Sequence, residues 1–199
     1  MTRPAILHSH LKSLALVGDP ATSTLCYSRI LDFVALPALR NFCLRDVLQE
    51  SSGIDGVEFI RTHAAQLHRF TLSGRRGSST LTLPDNPDAI LAFLRSMPEL
   101  AHLELGYLSC LLIIEFFHEL KERADFLPKL ENIKFVDCEA WWKRVDNKDT
   151  AREIIDDAIS WRPRLRRPDS EFKVAPIRSV VVDIPDFECD EPSYVHLIA

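Results

Sequence analysis

The sequence predicts a right-handed α/β solenoid, with a parallel sheet on its concave side and helices on its convex side. Three observations carry that expectation. A short apolar phrase (Leu, two residues, an apolar residue, one residue, an apolar residue) returns along the chain. A segment of helical periodicity follows each of its first five copies, and a proline stands two residues before three of them. A phrase recurring at a period of about 20 to 50 residues marks stacked supersecondary units. Each such unit is too small to bury its own apolar face, so neighbours must stack into one core.

The copies are Leu11-x-x-Leu14-x-Leu16, Leu39-x-x-Phe42-x-Leu44, Leu67-x-x-Phe70-x-Leu72, Leu100-x-x-Leu103-x-Leu105, Leu130-x-x-Ile133-x-Phe135 and, more loosely, Ile177-x-x-Val180-x-Val182. Their starts at 11, 39, 67, 100, 130 and 177 are 28, 28, 33, 30 and 47 residues apart. Residues 1–199 therefore read as one domain of five full units and one partial unit. Strand side chains alternate, so the phrase's apolar residues face inward and those between them face out.

Helices are expected between the phrases. The first lies near Leu25 to Ala35, with Tyr27, Ile30, Leu31 and Val34 on one stripe. The second runs from about Asp55, whose carboxylate and Glu58 form a capping box, to Gln66. The third follows Pro87-Asp88 and buries Ile90, Leu94 and Met97. The fourth spans Cys110 to about Ala124, with Ile113, Phe116, Phe117 and Leu120 at helical spacing. The fifth begins at Thr150-x-x-Glu153 and buries Ile154, Ile155, Ala158 and Ile159. Pro37, Pro98 and Pro128 stop a helix and return the chain to the sheet, because proline lacks the amide proton a helix needs.

The totals narrow the functional classes. A net charge of -5 gives no general attraction to nucleic acid, whose phosphates demand a basic face. No apolar run approaches the roughly 18 residues that span a bilayer. The start, MTRPAILHSHLKS, lacks the apolar stretch of a secretory signal. Five scattered cysteines without a CxxC pair read as reduced thiols of an intracellular protein, cytoplasmic or nuclear.

These phrases resemble the leucine-rich repeat of the longer, helix-containing type. The proline-punctuated copies, Leu36 to Leu44 and Met97 to Leu105, are similar to the repeat regions of fungal F-box proteins. The likeness runs from about Leu11 to Val182. It implies a protein-binding module, the substrate-recognition part of a ubiquitin ligase receptor. Two departures stand against it. The Asn/Cys position of the repeat is filled only by Cys138, the other copies carrying Asp19, Val47, Arg75 and Leu108. No F-box precedes Leu11, and Leu83 to Leu91 echoes its opening only faintly.

Under this reading the outward residues of the sheet bind a protein partner: Asn41, Arg45, Arg69, Thr71, His102, Glu104, Asn132 and Lys134. Trp141-Trp142, flanked by Lys143-Arg144, is a candidate aromatic anchor. No catalytic residue, cofactor or metal is expected. Glu115-x-x-His118 has a di-iron spacing but only one copy, so a solvent-facing helical pair is the plainer reading. Gly18 and Gly74-Arg75-Arg76-Gly77 fit turns; no GxGxxG, GxxxxGK[ST] or GxSxG is present. The basic run Arg162 to Arg167 is expected to be neutralised by the acidic residues from Asp183 to Glu191.

Two alternatives stay open: a small α/β hydrolase or transferase whose site converges only in three dimensions, or a truncated gene product without a partner. A last expectation concerns the amino-terminal end. Ala5-Ile6-Leu7 make a poor polar cap, so the first unit is expected to self-associate or to continue a longer protein.

Overall fold

Every copy of the phrase becomes a strand that begins two residues after its first apolar position. The computed structural model describes residues 6–17, 31, 34–45, 62–73, 87–106, 110–136, 148–165, 173–184 and 193–198. Strands β1 (Ile6–Leu7) and β3 (Val34–Ala35) make a small parallel pair. The main sheet takes β2 (Ser13–Val17), β4 (Asn41–Arg45), β5 (Arg69–Ser73), β6 (His102–Gly106), β7 (Asn132–Val136), β8 (Ser179–Ile184) and β9 (Ser193–Ile198), in that order. The first six are parallel and β9 returns antiparallel beside β8.

Register follows the phrase. Leu14, Phe42, Phe70, Leu103, Ile133 and Val180 form one row across the sheet. Leu16, Leu44, Leu72, Leu105, Phe135 and Val182 form the next. From β4 to β8 both rows are buried; a one-residue slip would put every one of these side chains on the opposite face. The entry to the strands is also shared. Leu39, Leu67, Leu100 and Leu130 each donate a main-chain N–H to the carbonyl three residues earlier. Pro37, Pro98 and Pro128 hold the second position of three of these turns, where their fixed φ suits the bend.

Three helices are described: α1 (Pro87–Arg95), α2 (Cys110–Glu122) and α3 (Lys148–Trp161). In α1, Pro87 needs no hydrogen-bond partner at the first helical position, Asp88 faces the positive end of the dipole and Arg95 the negative end. The apolar stripe of α2 carries Phe116 and Phe117, whose rings meet Phe135 of β7 edge-on at 5.4 and 5.8 Å between centroids. Such pairs add about 0.5–1.5 kcal/mol beyond the area they bury. Helix α3 packs on α2 and adds Ile155 and Ala158 to the same core.

Behind α2 lies Arg162, fully buried in the short 3-10 turn that ends α3. Its guanidinium donates to the carbonyls of Leu120 and Phe126 at 3.4 Å, of Ala175 at 3.3 Å, and of Leu127. Leu127 has φ 46°, a left-handed conformation that is strained for a leucine. One arginine thus satisfies the carbonyls at the end of α2 and pins the strained turn that leads into β7.

The solenoid expectation is corrected by this architecture. A horseshoe sets one equivalent helix behind each strand. Among the described residues only three helices, of 9, 13 and 14 residues, are seen at full length for six parallel strands, with helical ends at Leu31 and Thr62–His63 besides. Two of those helices bundle together, and the sheet closes on an antiparallel strand. The molecule is a small α/β domain built on a central parallel sheet, with helices packed on the sheet and on each other. The leucine-rich-repeat and F-box resemblance falls with the horseshoe, and so does the repeat-based protein-binding module that it implied. Among the described residues the strand phrase repeats in one register, while the helices behind it differ in length and in what they pack on.

Individual helices fared unevenly. The third, fourth and fifth expected helices are α1, α2 and α3. The first is expected to reach Ala35; Leu31 is helical and buried as expected, Val34–Ala35 is strand β3 instead, and the rest lies outside the described residues. Of the second, only its last turn is described, ending in a 3-10 segment at Ala64–Gln66. No helix among the described residues is long and apolar enough to cross a membrane.

Candidate functional site

Between the two apolar rows the strands present their other face, and there the polar residues fall into three rows of their own. The row nearest the strand starts is Ser13, Asn41, Arg69, His102, Asn132 and Ser179. The middle row is Ala15, Cys43, Thr71, Glu104, Lys134 and Val181. At the carboxyl end stand Val17, Arg45 and Ser73, with Gly106 paired to Val136. All eight partner-binding residues expected from the sequence lie on this face. Trp141 and Trp142 fall outside the described residues, as do Gly18 and Gly74 to Gly77.

Charge converges at one point of the face. Arg45 Nη2, on β4, reaches across β5 to donate to Glu104 Oε1 on β6 at 2.9 Å. Lys134 Nζ, on the next strand, lies 3.9 Å from the same oxygen. The glutamate side chain is only 20% exposed, whereas Arg45 and Lys134 are 47% and 45% exposed. Thr71, on the strand that the arginine crosses, is buried although it belongs to the outward face. The residues at the carboxyl end are crowded. A Cβ placed on Gly106 would come within 3.0 Å of both Ser73 Cβ and Val136 Cγ2. A side chain there requires Ser73 or Val136 to give way by a few tenths of an ångström.

The other two ends of the row are tied differently. Asn41 Nδ2 donates to Ser13 Oγ at 2.8 Å, and Ser179 Oγ donates to Asn132 Oδ1 at 3.2 Å. Arg69 is exposed beside His102. Burial pushes the His102 imidazole below its ordinary pKa of about 6.5, and the Arg69 charge adds to the effect, against an opposing pull from Glu131. A neutral imidazole therefore stands in the first row, roughly 7 Å along β6 from the position of Glu104. Cys43 is a free thiol beside Arg45. Burial raises its pKa, with Arg45 pulling the other way, so it is protonated at neutral pH and a poor nucleophile.

Other motifs resolve into structural roles. His118 Nδ1 sits 3.3 Å from Glu122 Oε1 on the exposed side of α2, and no cluster of metal-ligating side chains occurs among the described residues. Of the basic run only Arg162 and Arg164 are described; Arg166, Arg167 and the acidic residues Asp186 to Glu191 expected to neutralise them lie outside the described residues. Arg162 is the buried clamp described above, and Arg164 lies 4.6 Å over the ring of Trp161. Sequence spacing missed the Arg45–Glu104–Lys134 convergence because the partners are 59 and 30 residues apart in the chain. Its signal was present all the same, in opposite charges at the outward positions of three phrases.

No protein-family model, no curated protein and no solved structure matches this chain.

Proposed function

We propose that the chain is a small α/β enzyme of the hydrolase or transferase kind, acting on an anionic substrate at the polar face of its sheet. The observation that carries this reading is the meeting of Arg45 and Lys134 on Glu104, with the depressed imidazole of His102 one row away. Arg45 stands at the carboxyl end of β4, where ligands of open parallel sheets gather, and His102 at the start of β6, so the substrate lies lengthwise across the face between them. In this reading the two cations hold the substrate's negative group, and Glu104 keeps them in place before it arrives. Neutral His102 takes the proton from the attacking water or acceptor hydroxyl. General-base action of this kind contributes about 10²–10⁴-fold.

The test is turnover by the purified full chain on a panel of carboxylated and phosphorylated acyl esters, with water or an alcohol as acceptor. Hydrolysis or transfer above buffer is expected, falling at least about 100-fold in His102→Gln. Only the neutral imidazole is a base. Activity should therefore hold as pH falls to the ordinary histidine value and be lost below it, through the depressed pKa of His102. No turnover on any ester, or equal rates in His102→Gln, overturns the reading.

Self-association at the amino-terminal end is a separate proposal. Leu7 is 68% exposed, and β2 stands at the end of the described strand order of the main sheet. Light scattering across a concentration series should show dimers that Leu7→Glu weakens; a strictly monomeric parent would refute it.

A further inference from the structure

We propose that Glu104 occupies the place of a ligand carboxylate, and that the group bound between Arg45 and Lys134 is the carboxylate of a small organic acid. This rests on the functional reading of the same site and narrows it to a substrate class. Both cations already address a carboxylate oxygen, Glu104 Oε1, at 2.9 and 3.9 Å. The arrangement is therefore sized for a carboxylate.

The exposures point the same way. Glu104 is largely covered, but nearly half of each cationic side chain faces solvent. An incoming anion meets the open sides of Arg45 and Lys134 first. A partly exposed ion pair contributes little net stability, so exchanging one carboxylate for another is cheap. Arginine suits the exchange because its planar fork can grip a carboxylate through two parallel N–H donors, and the present contact uses one. Glu104 then acts as an internal competitor that sets a threshold for binding. A ligand without a carboxylate gains no advantage over the residue already there.

Removing the competitor's charge while keeping its shape isolates this effect. Wild type, Glu104→Gln, Arg45→Gln and the double variant are titrated calorimetrically with succinate, inorganic phosphate and chloride, each fold checked by circular dichroism. Succinate is expected to bind Glu104→Gln about tenfold more tightly than wild type, and the double variant is expected to lose that gain. Chloride should show no comparable gain. An unchanged succinate affinity in Glu104→Gln overturns the proposal. So does an equal gain for chloride, which would mean simple charge relief, or a larger gain for phosphate, which would reassign the ligand class. The measurement is independent of turnover. Tighter succinate binding without catalysis would leave this inference standing and refute the enzyme; catalysis without the gain would do the reverse.

Discussion

Two arginines of this chain, Arg162 under the helices and Arg45 on the polar face, show how differently the two sides of one sheet use the same side chain. Arg162 is fully buried and spends its donors on four main-chain carbonyls at the end of α2, the turn after it and the segment before β8. Arg45 is about half exposed and spends its charge on one carboxylate across a neighbouring strand. Water decides the difference. A buried carbonyl without a donor pays its full desolvation cost, whereas an exposed ion pair competes with solvent for each partner. The covered side is therefore where charge makes structure. The open side is where charge stays available to a ligand.

Breaking the covered side should give the largest effect. Arg162→Met fills similar volume but strands the carbonyls of Leu120, Phe126, Leu127 and Ala175 away from water. A loss of about 3–5 kcal/mol is expected, because each buried acceptor left without a donor costs about 1–3 kcal/mol and the desolvation cost of the guanidinium, then avoided, offsets part of the total. Chemical denaturation of the purified variant measures it. Arg162→Lys should recover only a part, because a single ammonium cannot span four acceptors. A loss below about 1 kcal/mol would show that the guanidinium is dispensable and that the strained Leu127 turn holds itself.

The same contrast explains what could be read from the sequence. The strands were legible because Leu, Phe, Ile and Val at alternate positions face one core, and a single pairing register serves all six phrases. The turn prolines were legible for a local reason, their fixed φ. Helices α1, α2 and α3 followed from periodicity at Ile90, Phe116 and Ile155. What periodicity could not show is how many helices back the sheet, or that α2 and α3 bury against one another, because that depends on partners far apart in the chain. Six equal strand phrases imply a horseshoe only if an equal helix backs each one, and α2 and α3 pack on one another instead. The role of Arg162 was equally hidden, since its acceptors are main-chain atoms that leave no sequence signature. On the open face the eight outward residues were legible from alternation alone. Which of them touch was not, because Arg45 skips its neighbour on β5 to reach β6.

A middle-sized effect should come from the carboxyl end of the polar face, where crowding rather than charge governs. Gly106→Ala sets a methyl group 3.0 Å from Ser73 Cβ and Val136 Cγ2. Overpacking of this kind costs about 1–3 kcal/mol. Adding Ser73→Gly removes one of three close contacts, leaving Val136 Cγ2 at 3.0 Å and the Cα of residue 73 at 3.2 Å, and should restore only part of the loss. Thermal unfolding of the single and double variants checks this. Equal stability of Gly106→Ala and wild type would mean that the strands can spread here, and that Arg45 is not held over a rigid floor.

The smallest effect belongs to the ion pair itself, and its smallness matters for the site. If Arg45 and Glu104 were a stability device, a double-mutant cycle with Arg45→Ala and Glu104→Ala would return several kcal/mol. Arg45 is too exposed for that, and pairs of this kind couple by about 0.2–1 kcal/mol. The coupling should fall toward zero in concentrated salt, where the screening length drops to about 3 Å at 1 M. Denaturation of the four proteins in low and high salt gives both numbers. A coupling that is large and indifferent to salt would move Arg45 to the company of Arg162, as part of the fold. A small, screened coupling leaves the two cations held in position at little thermodynamic cost, free to exchange Glu104 for an anion that binds them better.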